Sequence, residues 1–168
     1  MPEKLTDQTI KHLLAQSRTI VIIGLSSDES KPSHKVACYL QAQGYTIIPI
    51  HPKGGEIQIN GIGHRAFATL QECARDLNER GEKIDIIDVF RKSDALPQVA
   101  DEILALGNLV AKNPENPQKP LAMQLPTCVW VQLGLTNAEA KTKLTQAGIH
   151  YIEDSCIKLE HERLLSQR

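Results

Sequence analysis

Three short polar segments hold the side chains best suited to chemistry. They are Gly24-Leu25-Ser26-Ser27-Asp28-Glu29-Ser30-Lys31-Pro32-Ser33, Pro49-Ile50-His51-Pro52-Lys53-Gly54 and Val89-Phe90-Arg91-Lys92-Ser93. Each follows an apolar, β-branched run, so each is read as the loop leaving a strand. Together they supply Lys31, Lys53, Arg91 and Lys92, hydroxyls, and the backbone amides of a helix start, a set that suits phosphate oxygens. Arg91 can fork onto a phosphate while the neighbouring Phe90 offers a ring face to a base; the competing reading pairs Arg91 with Asp88 or Asp94. Gly24 alone does not make the three-glycine dinucleotide fingerprint. The second apolar run ends in His51, Pro52 and Lys53 rather than in an acid that would hold a ribose diol. NAD is therefore disfavoured, and a phosphorylated ribose is favoured, as in NADP or in coenzyme A with its 3′-phosphate. A Walker A loop is absent.

No complete catalytic set is read from the chain. There is no G-x-S-x-G elbow and no evident nucleophile–base pair, so the expectation is binding without catalysis. Cys38, Cys73, Cys128 and Cys156 have no CxxC spacing, which argues against a disulfide framework or zinc site. Cys156 is read as an inert thiol, with a reactive one as the alternative. Cys156, Glu160 and His161 lack a third firm metal ligand, so no metal is expected. Trp130 is placed in the core, and His34 either beside a phosphate or as an exposed neighbour of a helix cap.

The elements that must position these loops follow from periodicity. Helices are expected over 6–16, from a Ser33 cap to Gly44, and over 69–80, 95–106, 137–147 and 159–165. Strands are expected over 19–23, 45–50, 84–89, 127–133 and 150–153, with a short edge strand over 57–59. Strands apolar on both faces that alternate with helices define an α/β protein: a Rossmann-like doubly wound, mainly parallel sheet with helices on both faces. Ligands of such sheets bind beyond the carboxyl ends of the strands, where strand order reverses. With the first strand central, the Gly24 and Phe90 loops face each other across that point. Residues 108–126, rich in proline, are read as a loop insertion that forms a lid or an interface.

The chain has 168 residues, 41 % hydrophobic and 23 % charged, with a formal net charge of −1. These values fit one globular domain over 1–168 and exclude the disordered and collagen-like classes. Neutral overall charge gives no general attraction to nucleic acid or to an anionic membrane. No apolar run approaches the ~20 residues of a membrane span. The expectation is a cytoplasmic protein with free thiols and a small nucleotide-containing ligand; a homo-oligomer is compatible with it.

The residues also resemble a known family, the small stand-alone CoA-binding proteins, similar to the N-terminal CoA-binding domain of the succinyl-CoA synthetase α subunit. The matching segments are Gly24-Leu25-Ser26, Lys31-Pro32-Ser33, Gly44-Tyr45, Ile48-Pro49-Ile50-His51-Pro52, Asp85 to Arg91, Val129 to Gly134 and Asp154 to His161. The resemblance implies a Rossmann-like fold that binds coenzyme A or an acyl-CoA. The implied site comprises Gly24, Leu25, Ser26, Lys31, Pro32, Ser33, Pro49, His51, Pro52, Lys53, Val89, Phe90 and Arg91. The family usually has Asn-Pro where this chain has His51-Pro52. The domain carrying the synthetase's phosphorylated histidine has no counterpart in these 168 residues, so a ligase reaction is not expected. The alternatives from other classes are an NADP-binding, reductase-like enzyme and a ligand-free interaction module on the same fold.

Overall fold

The computed structural model describes residues 4–111 and 113–165. Five strands, β1 (Thr19–Ile23), β2 (Thr46–Ile50), β5 (Ile86–Val89), β8 (Cys128–Val131) and β9 (His150–Ile152), form one parallel sheet in the order β2-β1-β5-β8-β9. Two hairpins lie outside it: β3 (Glu56–Ile59) with β4 (Ile62–Arg65), and β6 (Val110–Ala111) with β7 (Leu121–Ala122). The helices are α1 (Asp7–Gln16), α2 (Pro32–Ala42), α3 (Leu70–Glu79), α4 (Leu96–Ala105), α5 (Ala138–Gln146) and α6 (Ile157–Leu164).

Alternation along the strands sorts the core into two layers. Val21, Ile23, Ile87, Val89, Val129 and Val131 pack with residues of α3, α4 and α5. Ile20, Ile22, Ile86, Cys128 and Trp130 pack with residues of α1, α2 and α6. A right-handed crossover from β1 leftward to β2 puts α2 on one face, and the rightward crossovers put α3, α4 and α5 on the other. Strand order therefore reverses between β1 and β5, as the alternation in the sequence implies. At the opposite edge Asp85 pins the strand starts: its Oδ2 accepts from the Arg18 and Thr19 amides at 2.8 and 2.9 Å.

The structure corrects several local expectations. Ser33 does not cap α2. Lys31 occupies the cap position without a side-chain bond and Pro32 opens the helix, where its missing N–H costs nothing. Residues 57–59 are no edge of the main sheet, because β3 pairs antiparallel with β4. The β2 edge is instead covered by Phe67, which exchanges backbone hydrogen bonds with Pro49 and His51 at 3.0 and 2.9 Å. Within 108–126 the β6–β7 hairpin forms, and it joins the end of α4 to the start of β8. That places it at the edge of the sheet opposite the three polar loops, so it is no lid over them.

Candidate functional site

Three strand ends converge on Gly24. Its amide donates to Ile50 O at 3.2 Å, and the Phe90 amide donates to Ile23 O at 2.9 Å. At φ +85° a side chain is disfavoured, and a Cβ built there would lie 2.3 Å from the Phe90 carbonyl oxygen. The Gly24 and Phe90 loops thus meet across one crevice at the point where strand order reverses.

The 24–33 loop is held by its own side chains. Ser33 Oγ accepts from the Ser26 amide at 3.0 Å, and Ser26 Oγ accepts from the Asp28 amide at 3.1 Å. Asp28 Oδ1 takes both the amide and the hydroxyl of Ser30, which hold the Asp28 carboxyl below the usual carboxylate range. The second loop turns at His51: its carbonyl accepts from the Gly54 amide at 2.8 Å, and its Nδ1 from the Lys53 amide at 3.2 Å. Neutral His51 therefore carries its proton on Nε2. The third loop is tied to the next, since Ser93 Oγ accepts from the Thr136 amide and Ser93 O from Asn137 Nδ2.

The residues expected to form the site divide by exposure. Lys31, Pro32, Pro52 and Lys53 are exposed, while Gly24, Ser26, His51, Phe90 and Arg91 are half-buried along the edge. Leu25, Pro49 and Val89 are buried, and Ser33 is buried beneath its loop. His34 is neither exposed nor positioned for phosphate. It is 3 % exposed, and its Nε2–H donates to Gln58 O at 2.7 Å, leaving Nδ1 to accept from Cys38 Sγ at 3.5 Å. Arg91 forms no ion pair with Asp88 or Asp94, nor with any other of the described residues.

Asp88, one strand position from Val89, is fully buried, and neither carboxyl oxygen has a hydrogen-bond partner. Burial pushes its pKa well above the ordinary value, which favours the protonated carboxyl. Burial also raises the Cys73 thiol to about 12 and pushes up Cys128. Cys156 is half-buried at the cap position of α6 without a side-chain cap bond. Trp130 is wholly buried, as its strand position implies, and its Nε1–H donates to Ser155 O at 3.0 Å. His161 turns inward onto Tyr39, with 2.8 Å between the hydroxyl and Nδ1. No group of three His, Cys, Asp or Glu placed to hold a metal occurs among the described residues. Nor is any helix among them long and apolar enough to cross a membrane.

Sequence reading missed Thr69, Gln71, Gln98 and Glu102, which with Arg91 surround a cavity of about 360 Å³ beside the crevice. They come from the starts of α3 and α4, helices that periodicity located without showing that their first turns converge.

A parallel sheet with reversed strand order, and loops gathered at its carboxyl edge, defines a Rossmann-like α/β protein of nucleotide-binding architecture. Residues 18–162 match the model of the CoA binding domain family, and the chain belongs to that family. The uncharacterized protein YneT of Bacillus subtilis is 34 % identical over 152 residues, covering 90 % of this chain and 91 % of its own. A solved Thermus thermophilus protein, cell-free ID.343, is 34 % identical with a TM-score of 0.74, covering 96 % of this chain and 100 % of that one. A hypothetical protein from Pyrococcus horikoshii OT3 is 26 % identical with a TM-score of 0.73, over 98 % of this chain and 99 % of that one.

Proposed function

We propose that the chain binds coenzyme A or an acyl-CoA, without turning it over, along the carboxyl edge of the sheet. The observation that carries this reading is the close approach of Gly24 to Phe90, which gives a crevice floored by backbone at the reversal point of a CoA-binding-family sheet. The braced 24–33 loop, which carries Lys31, suits the diphosphate. The half-buried Phe90 ring and the His51-Pro52 turn offer surfaces to the base. A calorimetric titration against CoA, dephospho-CoA, NADP and NAD tests the reading. CoA is expected to bind most tightly, with no protein-dependent thioester formation or hydrolysis. Tighter binding of NADP than of CoA would sink it.

A further inference from the structure

Phe90 and Arg91, the two residues that follow β5, lie toward opposite faces of the sheet. Phe90 packs with the layer of α1, α2 and α6, whereas Arg91 lines the 360 Å³ cavity between the starts of α3 and α4. The floor of that cavity is apolar, formed by Ile23, Ile50, Leu70 and Val99, all buried. Gln71 and Gln98 stand exposed at its rim.

Two observations ask for an anion there. Arg91 Nε is buried without a hydrogen-bond partner, and its guanidinium has no carboxylate in ion-pair reach among the described residues. A buried cationic N–H left unmatched is unfavourable until an anion meets it. The first turn of α3 opens onto the same space. Thr69 Oγ1 takes the Glu72 amide at 3.2 Å, and the Leu70 and Gln71 amides lie beyond reach of any carbonyl of the helix. The cavity also adjoins Ile50, the last residue of β2, and the end of that strand is where doubly wound sheets hold the ribose of a nucleotide.

We infer that this cavity receives a phosphomonoester carried on the ligand's ribose, with Arg91 as its counter-ion and the first-turn amides of α3 as further donors. The inference deepens the CoA reading and rests on it for the 3′-phosphate; the 2′-phosphate of NADP is the other source of the same chemistry. Glu102, exposed on the second turn of α4, faces the same cavity and opposes an anion.

The test is titration of the full chain with CoA, dephospho-CoA, 3′,5′-ADP, 2′,5′-ADP and 5′-AMP. It is run on the wild type, Arg91→Gln, Gln98→Trp, Glu102→Gln and Lys53→Ala, each checked for folding by thermal melting. The wild type is expected to prefer CoA to dephospho-CoA, and 3′,5′-ADP to 5′-AMP, by about tenfold or more, as loss of a charge-assisted bond implies. In Arg91→Gln and Gln98→Trp both ratios should fall close to one, and in Glu102→Gln they should rise. Gln98 is exposed, so its variant decides the matter if Arg91→Gln does not fold. Equal wild-type affinity for both members of each pair overturns the inference. So does discrimination that survives in Arg91→Gln or that is lost only in Lys53→Ala. If CoA does not bind but 3′,5′-ADP binds in an Arg91-dependent way, the cavity assignment stands and the CoA reading falls. An Arg91-dependent preference for 2′,5′-ADP supports the cavity with NADP as the source.

Discussion

Gly24 stands where β1, β2 and β5 all end, and no other residue type fits there. Its left-handed backbone and the nearby Phe90 carbonyl both exclude a Cβ. Gly24→Ala is therefore expected to lower stability in urea denaturation by about 2 kcal/mol or more, since strained backbone positions cost of order 1–3 kcal/mol each. A variant as stable as the wild type would mean that the three strand ends separate easily. Asp88 acts in the opposite sense. Its folded pKa lies above the ordinary 3.8 because burial disfavours the charge. The folded state then holds a proton that the unfolded chain releases, so this group's contribution is fully present below the unfolded value and is lost as pH rises toward the folded one. Asp88→Asn should remove that decline, leaving the variant more stable relative to wild type at pH 8 than at pH 4. Parallel stability–pH curves for the two proteins would show that Asp88 is not held protonated.

At the scale of elements, α2 anchors much of what surrounds the crevice. Its first turn carries Ser33, whose hydroxyl holds the Ser26 amide, so Ser33→Ala should loosen the loop. The expected cost is about 0.5–1.5 kcal/mol of stability, the usual worth of one such bond, with weaker CoA binding measured by titration. The same helix carries the hairpin of β3 and β4 through polar bonds from His34 to Gln58 O and from Gln41 to His64, and through Asn60 to Cys38 O. At its far end Tyr39 meets His161 of α6. Burial lowers the His161 pKa below 6.5, so its contribution to stability is present above that value and lost as pH falls from there through the lowered folded value. The melting temperature should therefore drop as pH falls below about 6.5, and His161→Phe should flatten that drop; an unchanged slope would rule the residue out. These elements show what sequence could and could not deliver. The β-branched run Thr19–Ile23 was readable as a buried strand to the residue, because five consecutive apolar-compatible side chains bounded by Gly24 leave no other period. Thr69 and Asn137 were readable as helix starts, since their oxygens have amides to accept three residues on. Ser33 misled because a serine before an apolar helix resembles a cap, whereas Pro32 had already opened the turn. His34 misled because its partner, the Gln58 carbonyl, lies across a tertiary contact that leaves no periodic trace. The α3–α4 cavity was illegible for the same reason: it exists only once two helix starts from different crossovers meet over β1 and β2.

The parallel sheet has two edges of strand ends separated by the length of its strands, about 16 Å for five residues at roughly 3.3 Å each. At the carboxyl edge the loops after β1, β2 and β5 gather around Gly24, and cross-loop bonds through Ser93 extend this lattice to the start of α5. At the amino edge lie Asp85, the ends of α3 and α4, and the β6–β7 hairpin, whose Val110 and Leu121 are exposed. A ligand at the carboxyl edge binds the folded state alone and stabilises it through mass action, by about 2.7 kcal/mol at a hundredfold excess over Kd. Amide hydrogen exchange separates the local from the global part of that effect. Global unfolding slows everywhere when CoA is added, but local opening slows only where the ligand sits. Residues 24–33, 51–55 and 89–93 are therefore expected to gain protection beyond the global increment, together with the first turn of α3. The β6–β7 hairpin, at the far edge, should gain no protection beyond that global increment. Protection concentrated at 108–126 instead would put the ligand at the amino edge, among the residues of that hairpin and the ends of α3 and α4, and the crevice at Gly24 would lose its assignment.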